Sequence, residues 1–198
     1  MGYGDRVVTP GGARPKLSRE LIVTKARAIA DASGLDALTL RELAHALGTG
    51  QASLYRHIAD RRELLGLLVD DVALEFPTAD PGLAPRERLL KVWLDLHAFL
   101  SAHEWVAKVI AEGEYISRNA APFAQRQLDS LTGAGLGTED AMRAYRTLYN
   151  LLLGFLLNKH PMGHHLEAVP PSTEDEEFRW AVSRFLDCLL PGEPPQGQ

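Results

Sequence analysis

A single cysteine, Cys188, leaves this chain of 198 residues with no internal disulfide to form, and nothing in it asks for an oxidising compartment. Long apolar runs are missing as well. The longest, Leu151 to Leu157, falls far short of the roughly 20 residues that cross a bilayer. The opening stretch, MGYGDRVVTPGGARPKLSRE, has no apolar segment of the kind that heads a secretory leader. Membrane insertion and secretion are therefore not expected, and the cytoplasm is the expected compartment. G-x-S-x-G, H-E-x-x-H, the phosphate loop and the dinucleotide fingerprint are also absent, which removes the commonest enzyme signatures. No stretch alternates apolar and polar residues as a half-buried strand would.

What remains is enough to bury a core, with 45% hydrophobic residues, and the reading along the chain is helical throughout. The formal charge of -5 is unevenly spread. Residues 1–63 hold ten Lys/Arg against seven Asp/Glu, a surplus of +3, and residues 64–198 hold eleven against nineteen, a deficit of -8. A basic first third suits phosphate contact, and an acidic remainder suits a body held off a polyanion.

Residues 1–17, rich in Gly and Pro, read as a flexible arm in which Arg6, Arg14 and Lys16 are within reach of a nucleic acid or simply solvated. Ser18 then caps a helix predicted to stop at Gly34, with Ile22, Ala26 and Ile29 on one face. Thr39-x-x-Glu42 opens a short amphipathic helix carrying Leu40, Leu43, Ala44 and Leu47, and Gly48 ends it. After the turn, Gln51 to His57 can make two helical turns, with Leu54 and Ile58 inward. Asp60-x-x-Glu63 starts a fourth helix whose face of Leu65, Val69, Val72 and Phe76 runs to Pro77. Three prolines in residues 77–85 mark a boundary. Further helices are predicted over 85–101, 104–112, 119–132, 138–159 and 173–190.

Two helices joined by a tight glycine turn, the second short, have the layout of a helix-turn-helix. In that geometry the start of the second helix enters the major groove, so Gln51, Ala52 and Ser53 are the candidate base contacts. Gln bonds adenine at two edge atoms, Ser donates or accepts, and a methyl meets thymine. The alternative for Gln51 and Ser53 is that they only cap the helix.

The segment LTLRELAHALGTGQASLYRHIADRRELL, residues 38–65, resembles the DNA-binding signature of the tetracycline repressor (TetR) family, and the resemblance extends over residues 18–76. The closing STEDEEFRWAVSRFLDCLL is similar to the last helix of its tetracycline-repressor branch. The resemblance implies an all-α protein with an N-terminal DNA-binding bundle (18–76), a C-terminal ligand-binding and dimerisation domain (77–191) and a disordered tail (192–198). It also implies a guanine contact from Arg41, base contacts from Gln51, Ala52 and Ser53, and phosphate contacts from Thr39, Tyr55, His57 and Arg61. Ala52 stands where that branch commonly has proline and Arg56 where it commonly has an aromatic, so the operator sequence stays open. For Arg41 the plain alternative is a solvated helix charge, and for Tyr55 packing against the first helix.

The run around Leu151–Leu157 is hydrophobic on all sides and must be covered all round, with a second copy of the chain as the natural cover. Leu152, Leu156 and Phe155, with Val182, Phe185 and Leu189 of the last helix, are the expected interface of a four-helix bundle. A sensor pocket among the intervening helices is expected from Trp93, His97, Trp105, Phe123, Gln127, Tyr145 and Tyr149, though core packing explains each of these individually. His160, His164, His165 and Glu167 lack a metal-ligand spacing, and no metal site or cofactor is expected. The resemblance leaves magnesium open, because tetracycline repressors bind their drug as a magnesium chelate. Taken together, the sequence predicts a homodimeric repressor, not an enzyme, that binds double-stranded operator DNA and is released by a small-molecule effector. Two other readings compete with it: a DNA-binding dimer without a sensor, and a hydrolase built on the three loop histidines.

Overall fold

The computed structural model of the chain describes residues 16–113, 115, 117–158 and 173–190. All regular structure among them is helical, in the order α1 (Arg19–Ala37), α2 (Leu40–Ala46), α3 (Gln51–Leu54), α4 (Arg61–Ala73), α5 (Pro85–Ser101), α6 (Glu104–Ala111), α7 (Ala121–Gly133), α8 (Thr138–Leu157) and α9 (Glu174–Leu189). The arm through residue 15, the histidine loop and the tail lie outside the described residues.

Local chemistry explains where the helices begin. Ser18 accepts from the Leu21 N–H at 3.2 Å, Thr39 from Glu42 at 3.0 Å and Asp60 from Glu63 at 2.8 Å, so three of the first four helices have a side-chain cap. At Asp60 the expected reciprocal bond is displaced by one residue, because the Glu63 carboxylate accepts from the Ala59 N–H at 2.6 Å. α9 carries the full box, Thr173 and Glu176 each accepting the other's N–H.

The turn between α2 and α3 is a Schellman motif. Thr49 N–H donates to Ala44 O and Gly48 N–H to His45 O, both at 2.9 Å, with Gly48 at φ 63°. That left-handed conformation is open to glycine at little cost, and it turns the chain sharply enough for α3 to pack on α2.

Two boundaries within the first three helices differ from the sequence reading, and α4 ends at Ala73, short of the predicted Phe76. Gly34 is non-helical, at φ 77°, but the chain resumes one further helical turn to Ala37. α3 is one α-helical turn, not two, and residues 55–57 continue as a hydrogen-bonded turn in which Ile58 N–H reaches Leu54 O at 3.0 Å. Leu54 and Ile58 still enter the core, at 0% and 1% exposure, so the inward pair needs only that turn.

The core is continuous. Ile22, Ala26 and Ala30 of α1, Leu43 of α2, Leu54 of α3 and Leu64, Leu68 and Val72 of α4 join one cluster with Trp93, Val106, Leu131, Leu148 and Phe178 of the later helices. The proline-rich corner before α5 is held by Arg88, whose Nη2 donates to Pro81 O at 2.7 Å and Leu83 O at 2.9 Å. Arg86 ties α5 to α9 through Asp187 at 2.7 Å and the Ser183 hydroxyl at 2.8 Å.

Because α3 is so short, its position depends on a single buried side chain. Leu54→Ala is expected to cost about 2–5 kcal/mol of unfolding free energy, and Met142→Ala, on an exposed position, under about 0.5 kcal/mol. Urea denaturation of both variants at equal protein concentration checks the contrast.

Candidate nucleic-acid interface and effector cavity

The helix-turn-helix leaves Arg41, Gln51 and Ala52 exposed and Tyr55 55% exposed, with Ser53 and His57 half-buried. Chemistry already in use narrows what each can offer. The Thr39 oxygen accepts the α2 cap bond, which leaves its hydroxyl proton to donate outward. The Ser53 hydroxyl accepts from Arg56 Nη2 at 3.0 Å, so Arg56, which stands where the tetracycline-repressor branch commonly has an aromatic, holds one of the expected base-reading groups. Arg61 is exposed and donates through Nη2 to Leu35 O at 3.2 Å, which fixes it across the end of α1. The His57 carbonyl takes the Arg19 Nε at 2.8 Å, pinning the turn after α3 to the start of α1.

A polar cluster joins this bundle to the following helices. Arg27 of α1 donates to Asp71 at 3.1 Å and to both Glu75 oxygens, and it lies 3.7 Å from Asp31. Hydrogen bonding to Arg27 holds the Glu75 carboxyl below the usual range, against partial desolvation. Asp31 in turn accepts the Trp105 indole N–H at 2.6 Å and lies 2.8 Å from His103 Nδ1.

An inner cavity of about 90 Å³ lies between α4, α5, α6, α7 and α8. Of the side chains expected to form a pocket, Phe123, Tyr145 and Tyr149 line it. Trp93 lies one layer behind, edge-on to Phe123 at 6.1 Å and tilted on Tyr145 at 5.9 Å. Gln127 is buried but is not part of the lining.

Two of the expected residues are elsewhere. Trp105 is spent on Asp31 at the junction with α1. His97 lies flat on Phe178 at 4.4 Å, between α5 and α9, with Nδ1 3.2 Å from Asp175 and Nε2 3.5 Å from Glu174. Both are buried polar aromatics, and their polar atoms were drawn to carboxylates outside the cavity.

Sequence reasoning missed several wall residues, Val69, Phe76, Tyr115 and Ser117 among them. Tyr115 and Ser117 stand in an irregular segment where no periodicity marks an inward residue. α4 grips that segment: Asp70 accepts from the Ser117 hydroxyl at 2.7 Å and from Arg118 N–H at 3.1 Å, and the Asp70 carbonyl accepts from Asn119 Nδ2 at 2.9 Å.

The expected dimer residues divide. Leu152, Leu156 and Val182 are 0%, 5% and 0% exposed within one chain, so they face its own core and have no surface left for a partner. Leu152 is in fact a cavity wall. Phe155, Phe185 and Leu189 remain partly exposed, beside Gly154, Leu157 and Trp180, the last 65% exposed. Helical periodicity showed that both sides of α8 are apolar but not which side the chain itself covers.

The residues match two family descriptions, "Bacterial regulatory proteins, tetR family" over 22–68 and "Tetracyclin repressor-like, C-terminal domain" over 79–184. The chain belongs to the TetR family. It is 37% identical over 179 residues to the class D tetracycline repressor protein of Escherichia coli, spanning 88% of this chain and 80% of that one. Among solved structures, the TetR family protein ActR of Streptomyces coelicolor, crystallised with actinorhodin, matches with a TM-score of 0.73 at 27% identity, covering 88% of this chain and 97% of its own. BioQ, crystallised with its double-stranded DNA operator, matches with a TM-score of 0.71 at 27% identity, over 88% of this chain and 98% of its own. This TetR-family chain is accordingly a ligand-responsive DNA-binding regulator of transcription and not an enzyme. No helix among its described residues is long and apolar enough to cross a membrane.

Among the described residues, the cavity lining of this TetR-family protein offers the hydroxyls of three tyrosines and Ser117 but no carboxylate or imidazole to hold the magnesium of a drug chelate, whereas hard divalent cations are held by charged oxygen donors. The phenols also resist ionisation: burial pushes Tyr145 up to about 12, with Tyr149 adding to the shift, and burial raises Tyr149 as well.

The raised Tyr145 value makes the fold sensitive to alkali. The folded chain holds this proton from the unfolded value of 10.0 up to about 12, so its contribution is fully present below the first and lost as pH rises through the second. Tyr145→Phe is expected to flatten the fall in stability between about pH 9 and about pH 12, read by denaturation at several pH values; an unchanged slope would remove the phenol from the dry wall.

Proposed function

We propose that this chain is a cytoplasmic, homodimeric repressor that holds a palindromic operator through α2 and α3 and releases it when a flat, largely apolar aromatic effector enters the inner cavity without a metal. The observation that carries the reading is the double attachment of α4. It follows the DNA-facing turn directly, and its Val69 and Asp70 respectively line the cavity and grip the cavity's irregular wall. Crystals of ActR with actinorhodin support a small-molecule effector, the aromatic lining of the cavity supports an aromatic one, and crystals of BioQ with operator DNA support the docking mode.

The cavity of about 90 Å³ is well below the roughly 300–1,000 Å³ that a typical small-molecule ligand occupies, so binding requires dilation. The wall that yields is formed by residues 115 and 117–120, which carry no helical ladder and are tied to α4 through Asp70. Moving it pulls on Asp70 and tilts α4, changing the separation of the two recognition helices in the dimer. Such coupling is typically about 1–3 kcal/mol and acts equally on effector and operator affinity. The dimer forms on the open faces of α8 and α9, where a Cβ placed on Gly154 would meet nothing within 4 Å and a partner helix can approach closely.

At the DNA, Arg41 reads guanine, Gln51, Ala52 and Ser53 read the neighbouring edges, and Thr39, Tyr55, His57 and Arg61 hold phosphates. Selection from a random duplex pool is expected to return a palindrome. Arg41→Ala or Gln51→Ala should each weaken it by about 1–3 kcal/mol and relax one base position, while Tyr55→Phe weakens all sequences alike. Failure to enrich any site at low salt would sink this reading.

Asp70→Ala tests the release step: operator affinity in the absence of effector should stay within about threefold, while effector-induced release falls by about tenfold. Excess chelator should leave wild-type release unchanged. Full release by Asp70→Ala, or its abolition by chelator in the wild type, would overturn the route described.

A further inference from the structure

Directly outside the inner cavity lies a second space, an open groove of about 630 Å³ between α1, α4 and the residues Tyr115, Ser117 and Arg118. Groove and cavity have Val69, Tyr115 and Ser117 in common, so these three side chains are the partition between a dry aromatic chamber and a wet charged one.

The charges of the groove are not equivalent. Its acids are committed to the chain itself: Asp60 accepts from Glu63 N–H, Glu63 accepts from Ala59 N–H and Arg19, and Asp70 accepts from Ser117 and Arg118 N–H. Arg19 is likewise committed, to Glu63 and the His57 carbonyl, and Arg62, the groove's third arginine, also has a partner. The Arg118 guanidinium is exposed, and among the described residues it makes no hydrogen bond or ion pair. A planar fork of five donors therefore stands at the mouth of a chamber whose own polar groups are neutral phenols and a hydroxyl.

We propose that the effector is an aromatic carboxylate, its planar apolar body in the inner cavity and its carboxylate paired with Arg118 in the groove. The proposal rests on the aromatic-effector reading above and adds the charge and the orientation. Among the described residues the inner cavity holds no cation to offset the desolvation of an anion, whereas the groove presents the Arg118 guanidinium in solvent reach. The body crosses the partition where Tyr115 stands, and turning that ring outward joins the two spaces into a volume of ordinary ligand size.

Anthraquinone-2-carboxylate and its methyl ester share one ring system and differ by one charge, which makes them the probes of choice. Their binding to the full-length dimer is followed by tryptophan fluorescence, with Trp93 one layer behind the cavity. The acid is expected to bind the wild type about tenfold more tightly than the ester, an advantage reduced by added salt. Arg118→Gln should bring the ratio to near one by weakening the acid alone, and Arg118→Lys should keep part of it. Operator affinity of both variants, expected to be unchanged, confirms that they fold.

Equal binding of acid and ester to the wild type, or equal weakening of both by Arg118→Gln, would overturn the carboxylate assignment and leave the aromatic cavity standing. No binding of either probe to a dimer that still holds its operator would overturn the aromatic reading, and this proposal with it.

Discussion

Helix α4 is the constraint on which the rest depends, because one helix of thirteen residues is buried in two places at once. Leu64, Leu65, Leu68, Val69 and Val72 are all at or below 3% exposure, and the helix packs on α1 and on α6. Its outer side borders the open groove, but the buried side is held by close-packed side chains and passes a displacement on, since interiors of this density do not deform gradually. Arg27, bonded to Asp71 and Glu75 near the end of α4, fixes the angle at which this happens, and the Asp70 bonds determine what pushes.

The polar junction around Arg27 shows how such a contact is kept specific. A purely apolar seam between α1, α4 and α6 would tolerate sliding. Here Asp31 accepts from the Trp105 indole and lies within reach of His103, and Arg27 spans α1 and α4, so a small shift breaks several directional bonds together. The seam therefore favours discrete arrangements over a continuum, as a switch requires.

Much of this architecture was legible in the sequence, for reasons that can be assigned residue by residue. Ser18, Thr39, Asp60 and Gly48 report on backbone groups next to them, so their roles were visible without any tertiary knowledge. Leu54 and Ile58 were readable as inward even though α3 proved half as long as expected, because their spacing survives in the hydrogen-bonded turn. Burial by an unknown partner was not legible. Leu152, Leu156 and Val182 are apolar and helical whether their cover is the same chain or a second one. His97 and Trp105 each had two credible destinations, and the carboxylates nearest to them, Asp175 and Asp31, lie 78 and 74 residues away in sequence. The cavity's irregular wall, Tyr115 and Ser117, carries no pattern at all; only its attachment to Asp70 reveals it.

The small volume of the resting cavity has a kinetic meaning. With the effector site proposed above, a chamber of about 90 Å³ admits its ligand only in the rare moments when it stands open, so the apparent affinity is the affinity of the open form scaled by how often that form occurs. Once effector is plentiful, the speed of response is set by the protein's own opening rate and no longer by encounter. Substitutions that never touch the ligand can then retune the dose at which a cell responds, simply by making the open form commoner. A regulator built this way can acquire a new threshold faster than a new specificity.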